Sequence, residues 1–201
     1  KNKFASTASD IGGFSLNCHK HINTGEGGIV VTNNKNFAQR VYKIRNHGEN
    51  SVGLNSKINN ILGYNFRMGE IECAIGLEQY KKLKKIIISR NSQFNYLAKN
   101  LSKLKGLSIP THNVRMNNYY IFPIVLDLKI LNTSRKKIIK LLKAEGVNGL
   151  VEGYANLHKL PIFQKKIAYG TKGFPWNTFN KKIRYQNGSC PNAEKLHEKT
   201  F

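Results

Sequence analysis

The sequence predicts an α/β fold, and three observations carry that prediction. Strand, loop, strand and helix follow one another over residues 10–48, an order typical of layered α/β architectures. The second of these strands, residues 27–32, is almost entirely apolar, as in a sheet that is covered on both faces. A β-β-α-β order over residues 107–151 then predicts a second, smaller α+β domain.

The first strand is expected at residues 10–16 and the second at residues 27–32. Asn33 or Asn34 can cap the helix that follows, because Asn side chains accept hydrogen bonds from the first free backbone N–H groups. The helix ends near Gly48 and presents apolar residues at helical spacing: Phe37, Val41 and Ile44.

A long polar loop is predicted over residues 49–67, and loops of this length inside a compact domain are often functional. An Ala-containing helix starts after Met68. A second and longer helix is expected over residues 81–104, with Gly106 marking its end and an apolar stripe along one side: Ile87, Phe94, Leu97, Leu101 and Leu104.

The smaller domain is predicted to contain strands at residues 107–110, 119–126 and 147–151. Thr133 or Ser134 caps a helix between the last two strands, and Gly146 closes it. The sequence therefore divides into residues 1–104, the C-terminal part of a large domain with its linking helix, and residues 105–201, the small C-terminal α+β domain.

Composition narrows the choice of partners and compartment. The formal net charge is +22, which ordinarily raises nucleic acid as a partner. Lysines far outnumber arginines and are spread over several helices, so we expect no specific nucleic-acid site. No apolar run could span a bilayer, and no membrane partner is expected. Cys18, Cys73 and Cys190 are too far apart for a metal or disulfide motif, which favours the cytoplasm.

The most informative segment lies between the first two strands. Ser15 is followed five positions later by Lys20, and a Gly-Glu-Gly-Gly turn, Gly25 to Gly28, leads into the second strand. A hydroxyl and backbone amides can bind a phosphate group, and an amine can bond covalently to a carbonyl carbon. The segment therefore predicts a site for a phosphorylated carbonyl compound.

This segment resembles the lysine loop of the DegT/DnrJ/StrS family of sugar-nucleotide aminotransferases. Eight residues fall on the family pattern in register: Ser15, Lys20, Ile22, Thr24, Gly25, Glu26, Gly27 and Gly28. A second landmark, residues 63–68 with the sequence Gly-Tyr-Asn-Phe-Arg-Met, and a third, residues 190–194 with the sequence Cys-Pro-Asn-Ala-Glu, are also similar to family motifs. The resemblance covers essentially the whole chain.

The resemblance implies a pyridoxal-phosphate-dependent transferase of fold type I that moves an amino group, usually from glutamate, to a keto-sugar of a nucleotide-diphosphate sugar. Lys20 would hold pyridoxal 5'-phosphate covalently and Ser15 would bind its phosphate. Arg67, or else Asn65, would reach the cofactor phosphate of the partner subunit, because the family forms homodimers with shared active sites. His158 and Tyr154 are candidate substrate ligands, and Glu26 braces the turn.

Two alternatives remain open at this stage, a catalytically inactive relative and a basic domain that binds nucleic acid or another polyanion. Some members of a sister branch carry His at the lysine position and act as dehydratases, and Lys20 argues against that chemistry. In the family, the Asp that pairs with the pyridine nitrogen precedes the lysine loop. We therefore expect the sequence to be a C-terminal fragment that does not turn over alone.

Overall fold

The computed structural model describes residues 4–49, 61–109, 117–179 and 183–201. Contacts divide the chain into two units, and the division falls between Arg90 and Asn91. The domain boundary predicted after Leu104 stays a prediction. Within the described ranges, no helix is both long enough and apolar enough to cross a membrane.

The first unit contains a pair of strands and a helix. β1 (Gly12–Ser15) and β2 (Gly28–Val31) are antiparallel, with Gly12 opposite Val31 and Ser15 opposite Gly28. α1 (Lys35–Arg45) follows, and the Asn34 side chain accepts hydrogen bonds from the backbone N–H groups of Asn36 at 2.9 Å and Phe37 at 3.2 Å. The predicted cap is confirmed.

The strand pair exposes much of its apolar surface. Phe14 is 41% exposed, Ile29 47% and Val30 52%. The expectation of a strand covered on both faces is not met in the described residues, because Ile29 and Val30 point to opposite faces of β2 and both are about half exposed. Apolar side chains on both strands are therefore available for burial against other protein surface.

A single helix, α2 (Glu70–Leu101), replaces the two helices expected in this region. The prediction of a break before Lys81 was wrong. Residues 77–101 contain no Gly or Pro, and the residues across the expected break are good helix formers, so backbone hydrogen bonding continues without interruption. α2 crosses the division between the two units.

The second unit is built around a small sheet and short helices. β3 (Leu107–Ser108) pairs antiparallel with β4 (Val125–Leu126). The helices are α3 (Leu128–Leu131), α4 (Arg135–Ala144), α5 (Pro161–Lys165) and α6 (Pro191–Lys199), with single 3-10 turns at Leu157–Lys159 and Trp176–Thr178. Ser134 caps α4 as predicted, and its hydroxyl accepts from Lys137 N at 3.2 Å.

The third neighbour in this sheet differs from the predicted one. Residues 147–151, all within the described range, form no strand, and Gly149 among them has a φ of +75°, which interrupts extended backbone. Instead the chain end lies beside β4: Thr200 bridges Val125, and Ile124 and Phe201 exchange backbone hydrogen bonds of 3.0 and 3.2 Å. Of the strand predicted at residues 119–126, β4 contains only the last two residues.

The core of the second unit is small. Leu126 is 1% exposed, Ile139 2% and Phe94 6%. Phe94 stacks on Tyr119 with ring centroids 3.5 Å apart, and its edge meets Phe122 at 4.1 Å. These contacts anchor the C-terminal part of α2 to the sheet segment that follows it.

Candidate active site

The loop that carries Lys20 is closed at its base by backbone hydrogen bonds. Leu16 N donates to Gly27 O at 2.9 Å, and Thr24 N donates to Leu16 O at 3.0 Å. Leu16 and Thr24 are also two of the few buried side chains in the first unit, 6% and 5% exposed. The loop is therefore a defined structure that continues directly from β1 and returns into β2.

Asn17 organises the tip of this loop. Its Oδ1 accepts from His19 N at 3.1 Å, and its Nδ2 donates to Glu26 Oε1 at 2.7 Å. Lys20 N donates to the carbonyl oxygen of Asn17 at 2.9 Å, which closes a turn and fixes the backbone of the lysine. Glu26 braces the turn, as predicted. Sequence reasoning missed Asn17, although Asn is a frequent residue where a side chain must bond to nearby backbone.

The glycines at the end of the loop are required by the backbone. Gly25 has a φ of +82°, where L-residues other than Gly are strained. A Cβ on Gly27 would lie 2.6 Å from Oγ1 of Thr24, which donates to the carbonyl oxygen of Glu26 at 2.7 Å. The Gly-Glu-Gly-Gly sequence is therefore the one that permits the tight return into β2.

Ser15 and Lys20 occupy this loop with side chains suited to a phosphorylated aldehyde. Ser15 is exposed at the end of β1, and its Oγ accepts from Asn17 N at 3.2 Å. Lys20 is half-buried on the turn that Asn17 closes. The primary amine of Lys20 suits the aldehyde group of pyridoxal phosphate, and the hydroxyl of Ser15 suits its phosphate group. These residues fit the cofactor that the sequence implies.

Arg67 and Asn65 lie on a segment that is joined to the end of α1. Tyr64 N donates to Ile44 O at 2.8 Å, and Phe66 N donates to Arg45 O at 2.9 Å. Asn65 forms a bridge with Asn46, whose Oδ1 accepts from Arg67 Nη1 at 2.8 Å. This is the one hydrogen bond of the guanidinium to another described residue, and a guanidinium has five N–H donors. Arg67 is exposed, and most of its N–H donors have no acceptor among the described residues. The guanidinium is therefore suited to binding an anion.

The remaining candidates, Tyr154 and His158, lie in the second unit. Tyr154 is 83% exposed in the second unit. His158 Nε2 lies 2.8 Å from Glu194 Oε1, and the two side chains are 9% and 14% exposed. A substrate contact from either residue stays a prediction, and for His158 the observed partner is a carboxylate within its own unit.

Glu194 is the centre of a polar cluster that sequence reasoning did not find. Its carboxylate accepts from Gly188 N at 2.9 Å and Cys190 N at 3.3 Å, and Lys159 Nζ lies 3.3 Å away. The hydrogen bond from Gly188 N, followed by those from Cys190 N and His158, lowers the pKa of Glu194 to about 2. An acidic residue in the first turn of a helix that starts with Pro is the signal that could have indicated it.

Comparisons with known proteins agree with the motifs. A family model, the DegT/DnrJ/EryC1/StrS aminotransferase family, matches residues 1–198. The UDP-4-amino-4,6-dideoxy-N-acetyl-beta-L-altrosamine transaminase of Campylobacter jejuni is 32% identical over 127 residues, covering 63% of this chain and 34% of the relative. The GDP-perosamine synthase of Escherichia coli O157:H7 is 27% identical over 167 residues, covering 83% of this chain and 44% of the relative.

A solved structure also matches. The GDP-4-keto-6-deoxy-D-mannose-3-dehydratase of E. coli with bound hydrated PLP is 28% identical, with a TM-score of 0.65 over 73% of this chain and 41% of that chain. The chain thus spans less than half the length of each of these relatives. The similarity confirms the α/β fold of type I that the sequence predicts.

Proposed function

The chain belongs to the DegT/DnrJ/EryC1/StrS aminotransferase family, whose cofactor is pyridoxal 5'-phosphate, and on this premise we propose that it carries the lysine loop of a sugar-nucleotide aminotransferase. The proposed reaction transfers an amino group from glutamate to the keto-sugar of a nucleotide-diphosphate sugar. The observation that supports it most is Lys20, held by Asn17 on a closed loop in register with the family motif. Relatives named as a transaminase and a perosamine synthase support a sugar as the acceptor.

Lys20 has two roles in this proposal. Its Nζ would hold the cofactor by its carbonyl carbon. As a free amine, Nζ would act as the general base that accepts the proton from the α-carbon of the amino donor and returns it to the reacting centre. When bound, the cofactor supplies an electron sink and carries the nitrogen between the two half-reactions. A fixed backbone at Lys20 keeps its amine within reach for both tasks.

Anion binding falls to residues of two subunits. Ser15 Oγ binds the cofactor phosphate next to Lys20, and Arg67, assisted by Asn65, binds the phosphate held by the partner subunit. The exposed guanidinium, with one N–H group bonded to Asn46, supports this role. Tyr154 and His158 are proposed to contact the substrate. The enzyme is a cytoplasmic homodimer in this proposal, in keeping with three free cysteines, and its partners are the nucleotide sugar and the amino donor.

The assignment of Lys20 is tested by covalent labelling. The full-length protein is incubated with pyridoxal phosphate, reduced with borohydride and mapped by peptide mass spectrometry. We expect the label at Lys20, its loss in a Lys20→Ala variant, and its retention in a Lys35→Ala control at the exposed start of α1. A label at another lysine with none at Lys20 contradicts the proposal.

A further inference from the structure

Residues 153–193 form a stretch without acidic side chains. The stretch lies between Glu152 and Glu194 and contains no Asp or Glu. Glu194 is already engaged by His158, Lys159 and backbone N–H groups. None of the other described cations of the stretch forms a salt bridge with a described residue: Lys165, Lys166, Lys172 and Arg184. Their positive charge is therefore left for an external anion.

An exposed pair of aromatic rings lies within this stretch. Tyr169 and Phe174 bridge each other across a turn, and Ala168 N donates to Phe174 O at 3.1 Å. Their ring centroids are 6.1 Å apart with an interplanar angle of 54°. Tyr169 is 73% exposed and Phe174 46%. Lys172 is in the turn between the two aromatic residues, so a cation and two accessible rings share one short hairpin.

A cluster of packed aromatic residues, Trp176, Tyr185 and Phe163, lies next to the hairpin. Trp176 Nε1 donates to the Tyr185 hydroxyl at 2.9 Å, and the Trp176 ring meets Phe163 edge-on at 6.1 Å. Asn177 N donates to Gly173 O at 3.0 Å, and this hydrogen bond connects the turn of the hairpin to the segment that carries Trp176. Gln164 Nε2 donates to the carbonyl oxygens of His158 and Tyr185. Trp176 is thus committed to packing, whereas the rings of Tyr169 and Phe174 remain exposed to a ligand.

We propose that Tyr169, Phe174 and Lys172 form a binding site for a nucleoside diphosphate, with the base against the exposed rings and the diphosphate at the lysine. Aromatic side chains stack on nucleobases, and an ammonium without a carboxylate partner attracts phosphate. The inference rests on the proposed function and deepens it, because it assigns residues to the nucleotide part of the substrate. Single-stranded nucleic acid fits less well, since it needs a groove that follows several nucleotides.

The test measures binding rather than turnover. The full-length protein loaded with pyridoxal phosphate is titrated calorimetrically with UDP, GDP and dTDP. For at least one of them, we expect the Tyr169→Ala, Phe174→Ala double variant to raise Kd by about tenfold, the scale of one lost base stack. Tyr169→Phe keeps the ring and is expected to keep the affinity. Tyr96→Ala removes a tyrosine of similar exposure from α2 and serves as the matched control.

Binding of inorganic pyrophosphate tests Lys172 separately from the aromatic rings. It has no base, so the double aromatic variant is expected to bind it as the wild type does. Lys172→Ala is expected to weaken both pyrophosphate and nucleoside diphosphates several-fold and to reduce the salt dependence of binding. Lys103→Ala, an exposed lysine beyond the end of α2, controls for a general loss of positive charge.

Three results overturn the inference. The first is equal nucleoside diphosphate affinity in the wild type and the double aromatic variant. The second is no binding of any of the three diphosphates to the wild type. The third is tighter binding of a single-stranded oligonucleotide, abolished by the same variant. Covalent labelling of Lys20 is measured in parallel. If the label stays at Lys20 while the nucleotide results contradict the inference, the cofactor assignment stands and only the nucleotide site is wrong.

Discussion

At the scale of single residues, Glu194 connects more of its surroundings than any candidate site residue does. Its carboxylate joins the loop at Gly188 and Cys190 to His158 and Lys159 at the 3-10 turn, although these residues are far apart in sequence. Hydrogen bonds from backbone N–H groups, from the His158 ring and from the Lys159 ammonium all favour the ionised form of Glu194. Glu194 therefore holds a loop-rich region together through its charge.

This gives a prediction with a defined pH range. The folded-state pKa of Glu194 is about 2, below the ordinary value of 4.5, so its stabilising effect is complete above about pH 5 and is lost as the pH falls toward 2. Glu194→Gln is expected to lower the melting temperature by a few degrees at pH 7. The difference from wild type should shrink steadily between pH 5 and pH 2. Thermal unfolding of the full-length protein across this range measures it.

The matched control is Glu78→Gln. Glu78 pairs with Lys81 at 2.5 Å on the surface of α2, where both side chains are more than half exposed. Exposed pairs of this kind contribute little because water and salt screen them. We expect almost no change in melting temperature from this control. An equal effect of the two substitutions would mean that the cluster around Glu194 is not structurally important.

At the scale of elements, caps explain why helix starts were predicted accurately. Residue type and spacing predicted a cap at Asn33 or Asn34 and another at Thr133 or Ser134. In the structure the caps are Asn34 and Ser134, whose side chains accept hydrogen bonds from the first turn of their helices. Such a cap is a local interaction, so the sequence nearby contains all the information that it needs. The break expected before Lys81 was wrong because amphipathic patterning marks buried positions, whereas the continuity of α2 depends on uninterrupted helix formers.

The cap of α1 supports a stability prediction. Asn34→Ala removes the acceptor for Asn36 N and Phe37 N and is expected to cost about 1 kcal/mol of the free energy of unfolding. Asn36→Ala changes an exposed Asn two residues later and should have little effect or a slightly stabilising one. Urea unfolding of the full-length protein compares them. A smaller loss for Asn34→Ala than for Asn36→Ala would contradict the capping role.

At the scale of the whole molecule, the exposed faces of β1 and β2 matter most. Phe14, Ile29 and Val30 leave 41 to 52% of their surface exposed, and no described strand covers the free edge of β2. An unpaired apolar edge promotes association with other chains. We predict that the 201-residue chain expressed alone is poorly soluble or binds a hydrophobic dye, and does not transfer amino groups from glutamate. A soluble form with bound cofactor and turnover would refute this.

The proposed sharing of active sites between two subunits gives a second prediction at this scale. A Lys20→Ala protein and an Arg67→Ala protein are each expected to be nearly inactive. Mixed dimers contain one site with both residues intact, so activity should return to a fraction of the wild-type value. The control mixes Lys20→Ala with a Lys20→Ala, Arg67→Ala double variant, a pair that lacks Lys20 altogether and cannot form an intact site in any combination. If mixed dimers form and no activity returns, Arg67 does not act across the interface.

The sequence by itself determined the lysine loop, the helix caps and the family, because each depends on residues close together in the chain. Ser15, Lys20 and the Gly-Glu-Gly-Gly turn were recognised by their register with the family motif, which is a local pattern. The contacts between residues far apart in the sequence were decided only by the tertiary structure. Residues 147–151 form no strand, Thr200 bridges Val125 of β4, and Glu194 is bonded to His158 across 36 positions. Local sequence patterns cannot predict such contacts, because the contacts form between segments that are far apart in the sequence and depend on how those segments pack.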